Sequence, residues 1–411
     1  MAEETITTAP ESELEAAVMR RVTWRILPFL MLCYFVSFID KVNAGFAALE
    51  MNRDLHLSHT VFGLGGGLFF VSYFLFEVPS NLALARFGAR RWIARIMISW
   101  GFVAMAMAMV QGARSFYAVR LLLGAAEAGF FPGVMLYLTF WFPAAYRARI
   151  IGWFMVAIPV SAFIGSPLSA ALLGTDGWLG LAGWQWLYIL EGIPAVLLGL
   201  FCLVALTDRP EAARWLKPEE RHWLAARLER EAQDRRPVSV ARLWRVLTHR
   251  HVLGLAVVLA GSTAVSSGLQ LWTPLILKSF GLSNIETGFA TSVPFAVAAI
   301  MMVLWGRRSD RRGERVWHTV LPLALAAVSL AAALLFHSLA ATIIILCLAL
   351  TGIYAGKGPV WAVSTEWLAA GAAAAGLAQI NALSNLAGFG TIWAVGAIRD
   401  ATGRYALGLL P

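Results

Sequence analysis

Charge is scarce in this chain: of its 411 residues only 14% are Asp, Glu, Lys or Arg. Cysteine is scarcer still, with Cys33, Cys202 and Cys347 the full complement. Each lies inside an apolar run, without CxxC spacing or a His at ligand spacing, so neither a disulfide framework nor a metal site is expected. A phosphate-cradling loop of the form GxxxxGK[ST] is missing, which argues against direct ATP drive. The HExxH and GxSxG signatures of membrane-embedded hydrolases are missing too, so the chain does not read as an enzyme and calls for no cofactor. The first twenty residues are polar and acidic rather than basic and then apolar. No cleavable signal peptide is therefore expected, and the first span anchors itself.

What the chain has instead is hydrophobic sequence in blocks. Hydrophobic residues reach 59% and the mean hydropathy is +0.70, beyond what a soluble core needs. Runs of membrane-crossing length recur near residues 26–46, 61–85, 93–112, 116–141, 150–173, 185–206, 252–279, 286–305, 317–337, 339–369 and 373–398. Gly and Pro inside them, Gly65 to Gly67, Pro159 and Pro294 among others, are tolerated because neighbouring membrane helices re-satisfy the backbone. A net charge of +9 could suggest a nucleic-acid binder, but Lys and Arg gather in alternate loops. Arg86, Arg90 and Arg91, then Arg147 and Arg149, then Arg307 to Arg315 all follow even-numbered spans. With Arg20, Arg21 and Arg25 ahead of the first span, the positive-inside rule puts the N-terminus and the even loops in the cytoplasm.

The expected fold is an all-α polytopic membrane protein. It divides into a cytoplasmic segment 1–25, a six-helix bundle 26–206, a cytoplasmic linker 207–251, and a second bundle 252–411 with five full spans. In the linker Pro218-Glu219-Glu220 supplies a helix start, and Glu220, Leu224 and Leu228 recur every fourth residue, as in a short amphipathic helix. A repeat supports the two halves: Arg86-Phe87-Gly88-Ala89-Arg90-Arg91-Trp92 returns as Arg311-Arg312-Gly313-Glu314-Arg315-Val316-Trp317. Each copy lies between the second and third spans of its half, and duplicated halves are a transporter feature.

Ionisable residues inside spans cost roughly a few kcal/mol each, so they mark partners or a wet path. Asp40 and Lys41 stand in the first span, Arg120 and Glu127 in the fourth. Tyr34, Ser37 and Lys41 fall at i, i+3 and i+7, one helical face, which reads as the polar lining of a cavity. The alternative is that Asp40 and Lys41 snorkel from the end of the span. Arg120 and Glu127 are about 10 Å apart along one face and cannot pair with each other. Lys41 against Glu127 is the expected pairing, either for transport or as a fixed buried ion pair that only sets packing. A carboxylate whose partner cation can be taken by an anionic substrate is a device for coupling protons to that substrate.

The segments FIDKVNAGFA, RLLLGAAEAGFFPG and WLYILEGIPAVLLG, taken with the repeated loop motif, resemble the major facilitator superfamily, and within it the anion:cation symporter family. The resemblance covers nearly the whole chain. It implies a fold of two pseudo-symmetric six-helix halves, alternating access, and proton-coupled import of a small organic anion by a monomer in the bacterial inner membrane. Tartrate, phthalate, hydroxyphenylacetate and sugar acids are the substrate types it points to, with anion exchange as the mechanistic rival. By matching motif, Lys41 stands where the family has an Arg that binds the substrate carboxylate, with looser geometry because Lys lacks the bidentate fork. Asp40 and Glu127 stand at proton-linked acids, and Tyr73 and Asn385 at substrate-contacting positions. Arg120, Gln270, Ser364 and Thr365 are further liners, the last two equally readable as interhelical hydrogen bonders. Glu366 is an intramembrane acid without an assigned role. The stretch from Gly306 through Asp310, Arg311, Gly313 and Arg315 resembles the superfamily's gating motif, with Arg90 its counterpart in the first half. There Asn81 and Ala85 replace the Gly and the Asp, so the cytoplasmic latch is expected in the second half alone. After Asp400 few apolar residues remain, so a complete twelfth helix is not expected.

Overall fold

Apolar runs of this length become helices because hydrocarbon offers the backbone no partner but itself. The computed structural model describes residues 9–233, 250–367 and 373–408, and at 361–367 and 373–382, among others, the backbone alone. In chain order the helices are α1 (Ala9–Asp54), α2 (His59–Phe87), α3 (Ala89–Ala106), α4 (Ala113–Glu127), α5 (Phe130–Thr139), α6 (Ala144–Leu173) and α7 (Gly183–Ala205). Then come α8 (Pro218–Gln233), α9 (Arg250–Lys278), α10 (Asn284–Arg312), α11 (Val316–Ala332), α12 (Leu339–Trp367), α13 (Ala373–Thr402) and the single turn α14 (Tyr405–Gly408). Among the described residues, nine spans are long and apolar enough to cross a membrane, with α4 and α5 counted together. The shorter apolar α11 and the 30-residue α13 complete the expected row. Leu197, Phe201 and Val204 on α7, Val257 on α9 and Val328 on α11 are exposed, the outward apolar surface that lipid requires. This is a multi-pass membrane protein.

Within the first half α1 packs on α6 and α7, α3 on α7, and α2 on α4; within the second, α12 packs on both α10 and α11. Three seams join the halves: α2 with α13, α6 with α10, and α1 with α9. The last needs glycine, since a Cβ at Gly45 would stand 2.5 Å from the Leu271 carbonyl oxygen.

Polar bridges tie the seams at the face that carries the α1–α2 loop. Asn284 Nδ2 donates to Glu50 Oε1 at 2.7 Å. Asp400 accepts from the backbone N–H groups of His59 (3.2 Å) and Thr60 (2.7 Å) and from the Thr60 hydroxyl (2.6 Å). A carboxylate of α13 thus serves first-turn N–H groups of α2, which have no partner inside their own helix. Asp400 lies past the apolar span. Burial alone would raise its pKa, but the Thr60 and His59 donors outweigh this and hold the carboxyl at about 2.

At the opposite face α8 begins at Pro218, buries Leu224 and Glu220, and pairs Glu220 with Arg21 of α1. Both loop motifs are clamped there. Asp310 meets Arg315 at 2.6 Å, and Arg315 also donates to Ser309 Oγ at 3.0 Å, while Gly313 turns the chain with φ +63. Gly306 is helical and Arg311 exposed. The first half holds its loop by a different contact. The Arg90 backbone N–H donates to Asp208 at 2.8 Å, so the first half takes its acid from the end of α7 rather than from the motif. Each clamp lies within its own half.

Candidate functional site

The interior polar residues converge where α1, α2, α4 and α9 meet. Lys41 Nζ stands 2.6 Å from Glu127 Oε1, joining α1 to α4. Ser37, one turn earlier on the same face, donates its hydroxyl to that same oxygen at 2.9 Å. The Glu127 side chain is 1% exposed and that of Lys41 24%, so the acid is sealed while the amine reaches the cavity. The other carboxylate oxygen, Glu127 Oε2, is buried with no hydrogen-bond partner. Lys41 Nζ also lies 4.9 Å from the Phe38 ring centre and 5.9 Å from that of Tyr73, within reach of cation–π attraction.

Glu127 is the last residue of α4. The fourth span, expected to run unbroken over 116–141, is interrupted at Ala128 (ψ 132) and Gly129 (φ +85) before α5 resumes at Phe130. A side chain at Gly129 would be strained by that φ and would collide with Ser80 of α2. Hydropathy counts length and does not register φ, which is why the break was illegible. Broken helices at this depth are tolerated where they line a cavity.

Asp40 turns away from Lys41. It accepts from Asn43 Nδ2 at 3.1 Å and from the indole N–H of Trp100 on α3 at 2.8 Å. Arg120 faces the carbonyls of Gly65 and Gly66 at 3.4 and 3.5 Å, the long end of hydrogen bonding, and makes no ion pair among the described residues. From the second half, Gln270 of α9 donates to the Tyr354 hydroxyl of α12 at 2.8 Å. Asp40, Lys41, Phe69, Arg120, Gln270 and Leu271 line a cavity of about 30 Å³, room for about two waters. A larger guest requires the halves to part. No cluster of His, Cys, Asp and Glu among the described residues could hold a metal.

The family profile of the Major Facilitator Superfamily matches residues 30–394. The chain belongs to the major facilitator superfamily. A protein named "Putative tartrate transporter" from Agrobacterium vitis is 52% identical to this superfamily member, over 97% of this chain and 92% of its own. A quinolone resistance transporter from Acinetobacter baumannii is 39% identical, over 97% and 92% respectively. A solved bacterial homologue of the human lysosomal transporter Spinster, inward-facing and unoccupied, shares the fold with a TM-score of 0.74 at 21% identity, over 92% of this chain and 83% of that one.

In this facilitator the structure brings Lys41, Glu127, Asp40, Arg120 and Gln270 together, with Tyr73 buried beside them. Tyr34 is elsewhere. Its ring stacks on Phe154 (4.3 Å) and Phe131 (5.7 Å), packing α1 on α5 and α6, so the expected cavity liner is a core aromatic. The helical spacing was right, but the pull of four neighbouring rings, Phe38 and Phe130 included, outweighed one hydroxyl. Asn385 Nδ2 reaches Glu77 Oε2 at 3.5 Å across the α2–α13 seam. Trp272 is fully buried and donates to the Ile392 carbonyl, a core residue rather than a substrate platform. The side chains of Ser364, Thr365 and Glu366 lie outside the described residues. Sequence reasoning passed over Glu77, Glu191 and Lys357, all ionisable residues within spans. Glu191 accepts from Ser169 at 2.7 Å and leaves its second oxygen unpartnered. Counting every ionisable residue inside an apolar run would have found these three.

Proposed function

We propose that this protein carries a small organic acid of the tartrate type across the bacterial inner membrane together with protons, by alternating access, with its N-terminus in the cytoplasm. The observation that carries the reading is the division of labour within one carboxylate. Glu127 Oε1 is bound by Lys41 and Ser37, while Oε2 is buried without a partner. An anion arriving at Lys41 and Arg120 competes with Glu127 for the Lys41 ammonium. A buried carboxylate deprived of its counter-charge is costly, and a proton on Oε2 relieves that cost. Anion and proton then enter as a pair, and leave as a pair when the cavity opens to the other side. Asp40, held by Trp100 and Asn43, is the second proton-linked acid. The polar bridges at the α1–α2 face belong to the outer gate of that cycle, and the two loop clamps to the cytoplasmic one. No cofactor takes part, and a monomer suffices because one chain builds the whole cavity.

The relatives named above favour a carboxylate cargo, and a quinolone is itself an aromatic acid, so it belongs in the test panel. Labelled tartrate, phthalate, a sugar acid and a quinolone are offered to proteoliposomes under an inward proton gradient, with and without protonophore, for the wild-type chain and Glu127→Gln. Accumulation that collapses with protonophore, and falls to exchange alone in Glu127→Gln, is the expected result. Accumulation indifferent to the gradient, or unchanged in Glu127→Gln, overturns proton coupling and leaves anion exchange.

A further inference from the structure

Lys357 takes no part in that scheme. It lies on α12, one turn after Tyr354 on the same helical face. The Tyr354 hydroxyl accepts from Gln270, and Gln270 lines the central cavity, so this face of α12 looks inward. The other side of α12 is taken up by α11, where Gly352 and Gly356 meet Pro322, Leu323 and Ala326. Lys357 Nζ sits 4.6 Å from the centre of the Tyr354 ring. Its residue is partly buried, and no acid among the described residues stands within ion-pair distance of it. Lys41, the amine that lines the cavity from the first half, is by contrast held by Glu127. Placing an ammonium this deep without an anion is costly, and a bound ligand that supplies the anion removes the cost.

We propose that Lys357 binds the second carboxylate of a dicarboxylate substrate whose first carboxylate is held by Lys41 and Arg120, so that the protein selects diacids over monoacids of the same size. The inference rests on the transport reading above. It assigns the two poles of the substrate to different halves. A dianion spanning Lys41 and Lys357 is attracted to both walls and draws them together, whereas a monoanion is held by one wall and leaves Lys357 without a partner. Selectivity and closure then share one electrostatic cause.

The test compares tartrate with its monoamide, which keeps the length and both hydroxyls but has one carboxylate. In the wild-type chain the KM for tartrate should be lower by about 10- to 100-fold, the worth of one charge-assisted hydrogen bond. Lys357→Gln should raise the tartrate KM by about the same factor and leave that of the monoamide nearly unchanged, and Lys357→Arg should restore most of the preference. A wild-type chain that transports both acids equally well overturns the proposal without any variant. So does an equal loss for both acids in a Lys357→Gln protein whose thermal unfolding matches the wild type, because that is the mark of a packing role. Uptake of neither acid, nor of any other acid in the panel, by a folded wild-type protein overturns the transport reading and this inference with it.

Discussion

The two halves wall the same cavity with different chemistry. In the first half the cavity charges are engaged by other helices: Lys41 by Glu127, Asp40 by Trp100, and Arg120 by the Gly65 and Gly66 carbonyls. In the second, the lining is neutral at Ser267 and Gln270, and behind Gln270 stand Tyr354 and then Lys357, which faces a ring instead of an acid. A paired carboxylate can exchange its cation for a proton, and so can change state within a low-dielectric interior. Lys357 has no acid among the described residues to exchange with, and an incoming anion would supply the counter-charge it lacks there. The difference suits the first half to coupling and the second to selection.

The largest test of that contrast is to unpair the first half. Lys41→Ala leaves Glu127 buried without a counter-charge, which should cost about 3–5 kcal/mol in unfolding and abolish organic-acid uptake. Adding Glu127→Gln should recover much of the stability and none of the uptake, and thermal unfolding beside transport separates the two. Next is the seam on which both halves close. Gly45→Leu drives a side chain toward the Leu271 carbonyl and should disfavour the closed α1–α2 face by about 1–3 kcal/mol. Labelling of a cysteine introduced as Glu50→Cys should then rise. Trp100→Phe removes one donor from Asp40 without charging or emptying the site, and should cost about 1–2 kcal/mol in unfolding. A null result there would mean that Asp40 does not depend on its neighbours as Glu127 does.

The smallest expected effect lies at the rim. Asp400→Asn should weaken the cap on α2 by about 1 kcal/mol. Because the Asp400 carboxyl sits at about 2, below the ordinary value of 3.8, its contribution is complete above about pH 4. It is lost as the pH falls through 2, and acid unfolding of Asp400→Asn should lack that component.

The spans were legible because each is a local sum of apolar residues, and the row of helices follows the hydrophobic runs. The Lys41–Glu127 pair was legible by elimination, since both charges lay deep and neither had a partner on its own helix. The interruption after Glu127 was not, because it depends on Gly129 taking φ +85 against Ser80, a contact between helices. Tyr34 was misread for the same kind of reason: its face was set by α1, but its neighbours Phe131 and Phe154 belong to other elements. Lys357 was visible in the sequence and overlooked among the glycines around it.

Where the apolar runs of this protein lie, and which charges fall inside them, was determined by the sequence itself, because hydrocarbon penalises each exposed polar group one residue at a time. Which charge meets which was decided only by the packing. Asp40 finds Trp100 across 60 positions and Arg90 finds Asp208 across 118, and no local pattern encodes such distances. Burial acts on residues singly, whereas a hydrogen bond or an ion pair requires two atoms within about 3 Å, and the fold alone brings them there.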